Sequence, residues 1–379
     1  MPKTKINYYS FKDIDKTNAI YRIVIGRRSN GKTCGALMKI VDNFIATGKK
    51  GAILRRWLDD FKNNNAKVMF DALYSINGKN YISEKTEGKW DTVYYKSRCW
   101  YFAKWDADLN KLVIDENAFC YAFSISAAEH YKSTSYPEVT IIVFDEFLSR
   151  SQYLPDEFIM FMNVISTIVR QRDDVVIYML GNTVNQYCPY FDEMGLKHIR
   201  EMKGGTIDVY TYGENEKASV AVEMCADTDS KKSSKPSDVY FAFDNPKLKM
   251  ITEGAWEIGV YPHKPCRFRS TDIIFTYFIV FGKDILQCEI VDTTDEDGEE
   301  MMFTFVHKKT TELRHPESDL IYSQDYSSRQ NWRRKITKPI STIEQRISWF
   351  FKTEKVFYQD NNVGEIMRNY LLWCMTEEI

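Results

Sequence analysis

The chain has 379 residues, enough for two or three domains of roughly 100–200 residues each and for a sizeable core. Hydrophobic residues make up 44% and charged residues 27%, which excludes wholesale disorder, collagen-like sequence and a disulfide-dense miniprotein. The balance of 51 basic and 53 acidic residues excludes coating of nucleic acid by bulk charge, though a local basic track remains open.

The amino-terminal stretch MPKTKINYYSF has no apolar signal core, so no secretion is expected. Residues 20–26 form a β-rich run ending in Gly26. A polar loop follows, then apolar residues at Leu37, Ile40, Val41, Phe44 and Ile45, the spacing of one helix face. Gly48 stands where a helix-ending glycine belongs. Ala52–Trp57 reads as a second strand, and residues 58–120 as a hairpin-rich insert containing WYFAKW and KLVID. Cys120–Ser126 is strand-like. Val139–Phe147 is a continuous apolar run, as in a strand buried on both faces. Asp156–Arg172 has a helical pattern, and Val175–Thr183 is a further buried strand. Strands alternating with helices predict an α/β domain, residues 1–225, with a mostly parallel sheet and helices on both faces.

Ala226–Asp238 is small, charged and Ser-rich, so residues 226–267 are expected to be a linker or hinge subdomain. Residues 268–379 read as a smaller α+β domain: strands at 271–281, 285–292 and 300–307, then two helices. The first opens on Ser341 with Glu344 three residues on, a capping box; the second covers about 362–375. The longest apolar run, Ile273–Phe281, is far below the roughly 18–20 residues of a membrane-spanning helix, so no membrane role is expected. The eight cysteines are scattered, without CxxC, and read as reduced cytoplasmic thiols.

Gly26-Arg27-Arg28-Ser29-Asn30-Gly31-Lys32-Thr33 satisfies G-x-x-x-x-G-K-[ST] between a strand and a helix. Such a loop wraps phosphates with its own N–H groups, so side chains at the glycines would obstruct. Lys32 brings a point charge to the β- and γ-phosphates of ATP, Thr33 a hydroxyl to Mg²⁺, and the helix its positive end. Asp145 and Glu146 close a buried strand: Asp145 suits the Mg²⁺ shell and Glu146 the polarisation of a water attacking the γ-phosphate. Together they indicate a P-loop NTPase of the class with an additional strand and a catalytic glutamate (ASCE). Asn182 ends the next strand, either beside the γ-phosphate or merely as a turn residue. Arg170 and Arg172 end a helix, as an arginine finger or as cations meeting the helix dipole. Arg55 and Arg56 end the second strand, facing phosphate or only flanking it.

VIGRRSNGKT, ILRRW, HYKSTSYPEVTIIVFDEF, STIVRQRDD and GNTVNQYCPYF, in order over residues 20–195, resemble the DNA packaging (encapsidation) ATPases of phi-29-like tailed phages. The resemblance implies a ring, a pentamer, at the portal vertex of an empty prohead in the host cytoplasm. There it would pump double-stranded DNA with ATP, with a packaging RNA between ring and capsid. It implies that Arg170 acts as a finger on a neighbouring subunit, that Lys132 is a second residue acting across that interface, and that Arg55 senses nucleotide. The chain departs from the pattern in extra sequence near residues 85–120 and in its carboxyl-terminal half. Arg27 and Arg28 also make its phosphate loop bulkier and more basic. A nucleic-acid-remodelling ring ATPase or helicase unrelated to capsids is the alternative. Related terminases carry an RNase H-like nuclease, and the strands at 271–307 suit that fold. Ile273–Phe281 holds no carboxylate for a two-metal site, so an inactive nuclease domain is expected. Arg329, Trp332, Arg333, Arg334, Lys335 and Lys338 form a basic, aromatic stretch suited to phosphates or simply solvated. Lys62, Lys67, Lys79 and Lys89 are candidate DNA contacts.

Overall fold

The computed structural model describes residues 9–131, 134–213, 218–226, 256–264, 268–294 and 299–376. The chain divides into two compact units between Glu257 and Ile258, with Ser151–Pro155 assigned to the second.

In the first unit the strands are β1 (Tyr21–Gly26), β2 (Lys50–Arg55), β3 (Thr92–Lys96), β4 (Cys99–Asp106), β5 (Lys111–Ser124), β6 (Val139–Asp145), β7 (Val176–Asn182), β8 (Thr206–Tyr212) and β9 (Ala218–Met224). They form one nine-stranded sheet in the order β3-β4-β5-β2-β6-β7-β1-β9-β8. From β5 to β9 in that order every neighbouring pair is parallel. The edges are antiparallel hairpins, β3-β4-β5 on one side and β8-β9 on the other. β7 lies between β1 and β6, the strand insertion that defines the ASCE class.

Helix α1 (Lys32–Thr47) and helix α2 (Glu157–Val169) take opposite faces of this sheet. Val143 of β6 packs in one cluster with Leu37, Ile40 and Val41 of α1. Its neighbour Phe144, which must point the other way along a strand, stacks on Phe161 of α2 at 5.4 Å between ring centres. α1 ends at Gly48 in the left-handed conformation, φ 70°, as expected. α2 is shorter than its periodicity predicted, because Arg170 leaves the helical region with φ 45° and ψ −146°.

The two strands expected within and after the insert are one. KLVID and the run from Cys120 lie in β5, which continues for 14 residues. β4 pairs with it on both sides of Asp115–Asn117, which bulge out of the ladder between Ile114 and Ala118, and β2 pairs with its last residues, Cys120–Ser124.

The second unit is a six-stranded sheet of β10 (Ile273–Phe281), β11 (Asp284–Thr294), β12 (Glu300–Lys308), β13 (Ile321–Ser323), β14 (Trp332–Arg333) and β15 (Val356–Tyr358). Its order is β14-β13-β10-β11-β12-β15. β10, β11 and β12 form an antiparallel meander, and β13 then β14 add in parallel beyond β10. That arrangement is the sheet of an RNase H-like fold. Helices α3 (Thr342–Lys352) and α4 (Asn361–Cys374) follow. α3 starts as read from the sequence: Ser341 Oγ accepts from the Glu344 backbone N–H and donates to the Glu344 carboxylate at 3.0 Å.

The basic stretch is largely absorbed inside this unit. Arg333 pairs with buried Glu344 at 3.1 Å. Arg334 donates to Gln324 O and lies 3.9 Å from the centre of the Tyr326 ring. Lys335 is buried and bonds Thr376 O. Arg329 and Lys338 remain exposed. The expected linker falls mostly outside the described residues, and the first unit continues to Glu257, whose N–H donates to Thr183 O at 2.9 Å. Among the described residues no helix is long and apolar enough to cross a membrane.

Candidate active site

Four adjacent parallel strands end on the residues singled out in the sequence: β1 on Gly26, β7 on Asn182, β6 on Asp145 and β2 on Arg55. Parallel pairing puts all four ends on one edge of the sheet, where open α/β sheets place their ligands. Gly26 and Asn182 are direct partners in the ladder.

The loop after β1 turns back through two left-handed residues, Ser29 at φ 60° and Gly31 at φ 87°. A Cβ on Gly26 would lie 2.7 Å from Cys225 Cβ, so glycine is required there by close approach as well as by the loop. Tyr9 braces the loop from outside: its N–H donates to Asn30 O at 3.0 Å and its hydroxyl to Glu223. Arg28 lies 3.9 Å from Glu257.

Lys32 is 5% exposed. Its ammonium lies 2.8 Å from Arg27 O, 3.2 Å from Gly26 O, and 3.1 Å from both Asn30 Oδ1 and Asn182 Oδ1. Burial pushes its pKa down to about 8. Thr33 Oγ1 donates to Asp145 Oδ1 at 3.1 Å. Burial raises the pKa of Asp145, and the Arg55 guanidinium opposes that shift. Arg55 spans the two acids, 2.9 Å from Asp145 and 2.7 Å from Glu146, while its buried Nε has no partner among the described residues. Glu146 is exposed and takes φ 59°, a left-handed backbone that costs a non-glycine residue about 1–3 kcal/mol.

The residues present fit a magnesium nucleotide. Lys32 already faces four oxygens at the mouth of the loop, a set that phosphate oxygens can replace. Thr33 Oγ1 and Asp145 Oδ1 meet as two oxygens sharing one hydrated cation would.

Of the two helix-end arginines, Arg172 is structural. It donates to Val139 O at 2.7 Å and Ile168 O at 3.1 Å, and pairs with Asp174 at 3.0 Å. Arg170 is exposed, strained, and donates to Thr134 O at 3.0 Å. Lys132 lies outside the described residues. Arg55 reaches the carboxylates, and Arg56 enters the interior toward Glu157. Sequence reading passed over Tyr9, Cys225, Glu157 and Tyr190. None of the four carries a local signal: Tyr9 meets Glu223, and Arg56 meets Glu157, only across the fold.

Sheet order, loop and acidic strand end define a P-loop NTPase fold of the ASCE class. Residues 3–203, more than half of the chain, match the podovirus DNA encapsidation protein (Gp16) family. The chain belongs to that family. It is 28% identical over 188 residues to the DNA packaging proteins of Bacillus phages PZA and phi29, a stretch covering 48% of this chain and 49% of each relative. The match therefore spans about half the length of those curated relatives. The fold is also that of a chain in the bacteriophage phi-29 viral genome packaging motor assembly, with a TM-score of 0.54 at 18% identity over 96% of both chains.

Proposed function

We propose that this chain is an ATPase that drives double-stranded DNA into an empty prohead as a homo-oligomeric ring, a pentamer, at the portal vertex in the host cytoplasm. The observation that carries the reading is the convergence of Lys32, Thr33, Asp145, Glu146 and Asn182 on one sheet edge, in a chain of the encapsidation family.

In this reading the loop Gly26–Thr33 holds the phosphates of ATP, and Thr33 with Asp145 holds Mg²⁺. The bound ion would supply charge neutralisation at the phosphate oxygens. Lys32 exchanges its loop acceptors for β- and γ-oxygens. Glu146 polarises the attacking water, Asn182 helps to orient it, and Arg55 senses the nucleotide by letting go of the two carboxylates. Arg170 and Lys132 act on a neighbouring subunit's site. Duplex DNA carries about one charge per 1.7 Å of axis, so a ring needs only a few lysines per subunit, Lys62, Lys67, Lys79 and Lys89 among the candidates. The second unit, without a carboxylate inside β10, binds rather than cuts; a packaging RNA is its proposed partner.

The test is nuclease protection of DNA by matching empty capsids with this protein and Mg-ATP. Protection that requires ATP and is lost in Glu146→Gln is the expected result. Phosphate release without protection, together with strand unwinding in the absence of capsids, would establish the helicase reading instead.

A further inference from the structure

Next to the groups that face the phosphate loop stands a second arginine with no ligand to meet. The Arg56 side chain is 8% exposed and that of Glu157 fully buried, with Arg56 Nε 2.8 Å from the Glu157 carboxylate. Arg56 also donates to the carbonyl of Phe147 at 2.7 Å. The other Glu157 oxygen accepts the Tyr190 hydroxyl at 2.9 Å. A buried ion pair of this kind adds little stability over apolar packing of the same volume. The geometry of what it holds gives a better reason for its presence.

Phe147 directly follows Glu146. Its N–H donates to Leu180 O at 3.2 Å, its C=O accepts from Arg56, and its ring sits among Phe144, Tyr190 and Phe191. Both peptide groups of Phe147 are thus tied down. A left-handed glutamate persists only where its surroundings over-determine it, and here the fixed residue is the one beside it. We infer that Arg56, oriented by Glu157, is a positioning residue that fixes the Phe147 carbonyl and so aims Glu146. Arg55 acts on the carboxylate of Glu146; Arg56 acts on the main chain of the residue that follows it. The inference rests on the reading of Glu146 as the carboxylate that activates water.

The experiment is single-turnover phosphate release by prohead-assembled rings of the full chain with Mg-ATP, alongside binding of a fluorescent ATP analogue. Arg56→Lys keeps the charge but lacks the planar fork that serves the two acceptors from separate nitrogens. It should slow turnover at least about tenfold while leaving nucleotide affinity within about threefold. Combined with Glu146→Gln, it should be no slower than Glu146→Gln alone, because both act through one group. A folded Arg56→Lys at the wild-type rate, a matching loss of affinity, or losses that multiply in the double variant would overturn the inference. Should Arg56→Lys not fold, Tyr190→Phe decides by the same criteria: it removes one hydroxyl that orients Glu157 and should slow turnover about threefold at unchanged affinity. Wild-type assembled rings that bind nucleotide but never hydrolyse it remove the role of Glu146 and this inference with it. Wild-type turnover with unaffected variants removes this inference alone.

Discussion

Lys32 titrates within reach of ordinary buffers, and that makes the phosphate loop testable without any partner. The buried ammonium has its pKa pushed down from the usual 10.5 to about 8, equivalent to about 3 kcal/mol of penalty at roughly 1.4 kcal/mol per pH unit. Between pH 8 and 10.5 the unfolded chain keeps a proton on Lys32 that the folded chain has released. Stability from this group therefore rises with pH across that window, and the penalty is complete below it. Lys32→Met abolishes the titration. It also strips a donor from Asn30 and Asn182, but that loss does not vary with pH and cancels from the slope. Cys225, pushed up to about 12 by burial, stays protonated throughout. The urea transition sensitive to Lys32→Met, followed in both proteins from pH 7 to 10.5, should show wild type gaining about 3 kcal/mol on the variant. Phosphates beside the ammonium would restore its proton, so nucleotide binding should take up a proton above pH 8. Affinity should then fall up to about tenfold per pH unit there. A stability gap that stays flat across the window, with nucleotide binding still lost in Lys32→Met, would refute the buried-cation argument.

Three further outcomes follow from the geometry. Gly26→Ala forces a Cβ to 2.7 Å from Cys225 Cβ, well inside the ordinary contact of about 3.5–4.0 Å. It should destabilise by about 1–3 kcal/mol in urea melts, with much of the loss recovered in Gly26→Ala/Cys225→Gly; an unchanged melt would count against the close approach. Arg170→Ala should leave nucleotide binding by the isolated chain intact and slow hydrolysis in prohead-assembled rings by about 10³–10⁵; wild-type rates in those rings would end the finger proposal. Ser341→Ala removes the cap of α3 and should cost about 1 kcal/mol in thermal melts without altering nucleotide affinity, and a loss of affinity would contradict that purely local role.

The legible part of this protein is the part in which chemistry constrains neighbours in sequence. A loop that must wrap phosphate writes its glycines, lysine and threonine at positions 26–33. A strand buried on both faces that must end in carboxylates writes itself at 139–146. Asn182 was readable for the same reason, as the end of an apolar strand. The illegible part depends on pairings across the sheet. Nothing near Arg55 says that it spans Asp145 and Glu146, and Arg56 meets Glu157 at a separation of 101 residues. The same limit explains the misread surface. Arg333, Arg334 and Lys335 look like a solvated basic track until Glu344, Gln324 O and Thr376 O arrive from other elements to receive them. β5 was split for the converse reason, since KLVID and Cys120–Ser126 stand apart in sequence while the neighbours that make them one strand, β4 and β2, lie on either side of it in the sheet. Strand ends and strand order thus do different jobs. The ends carry the candidate site residues and leave a local signature. The order brings β2 beside β6 and β7 beside β1, turning four separate strand ends into one site, and it is written only in how the whole sheet buries its faces.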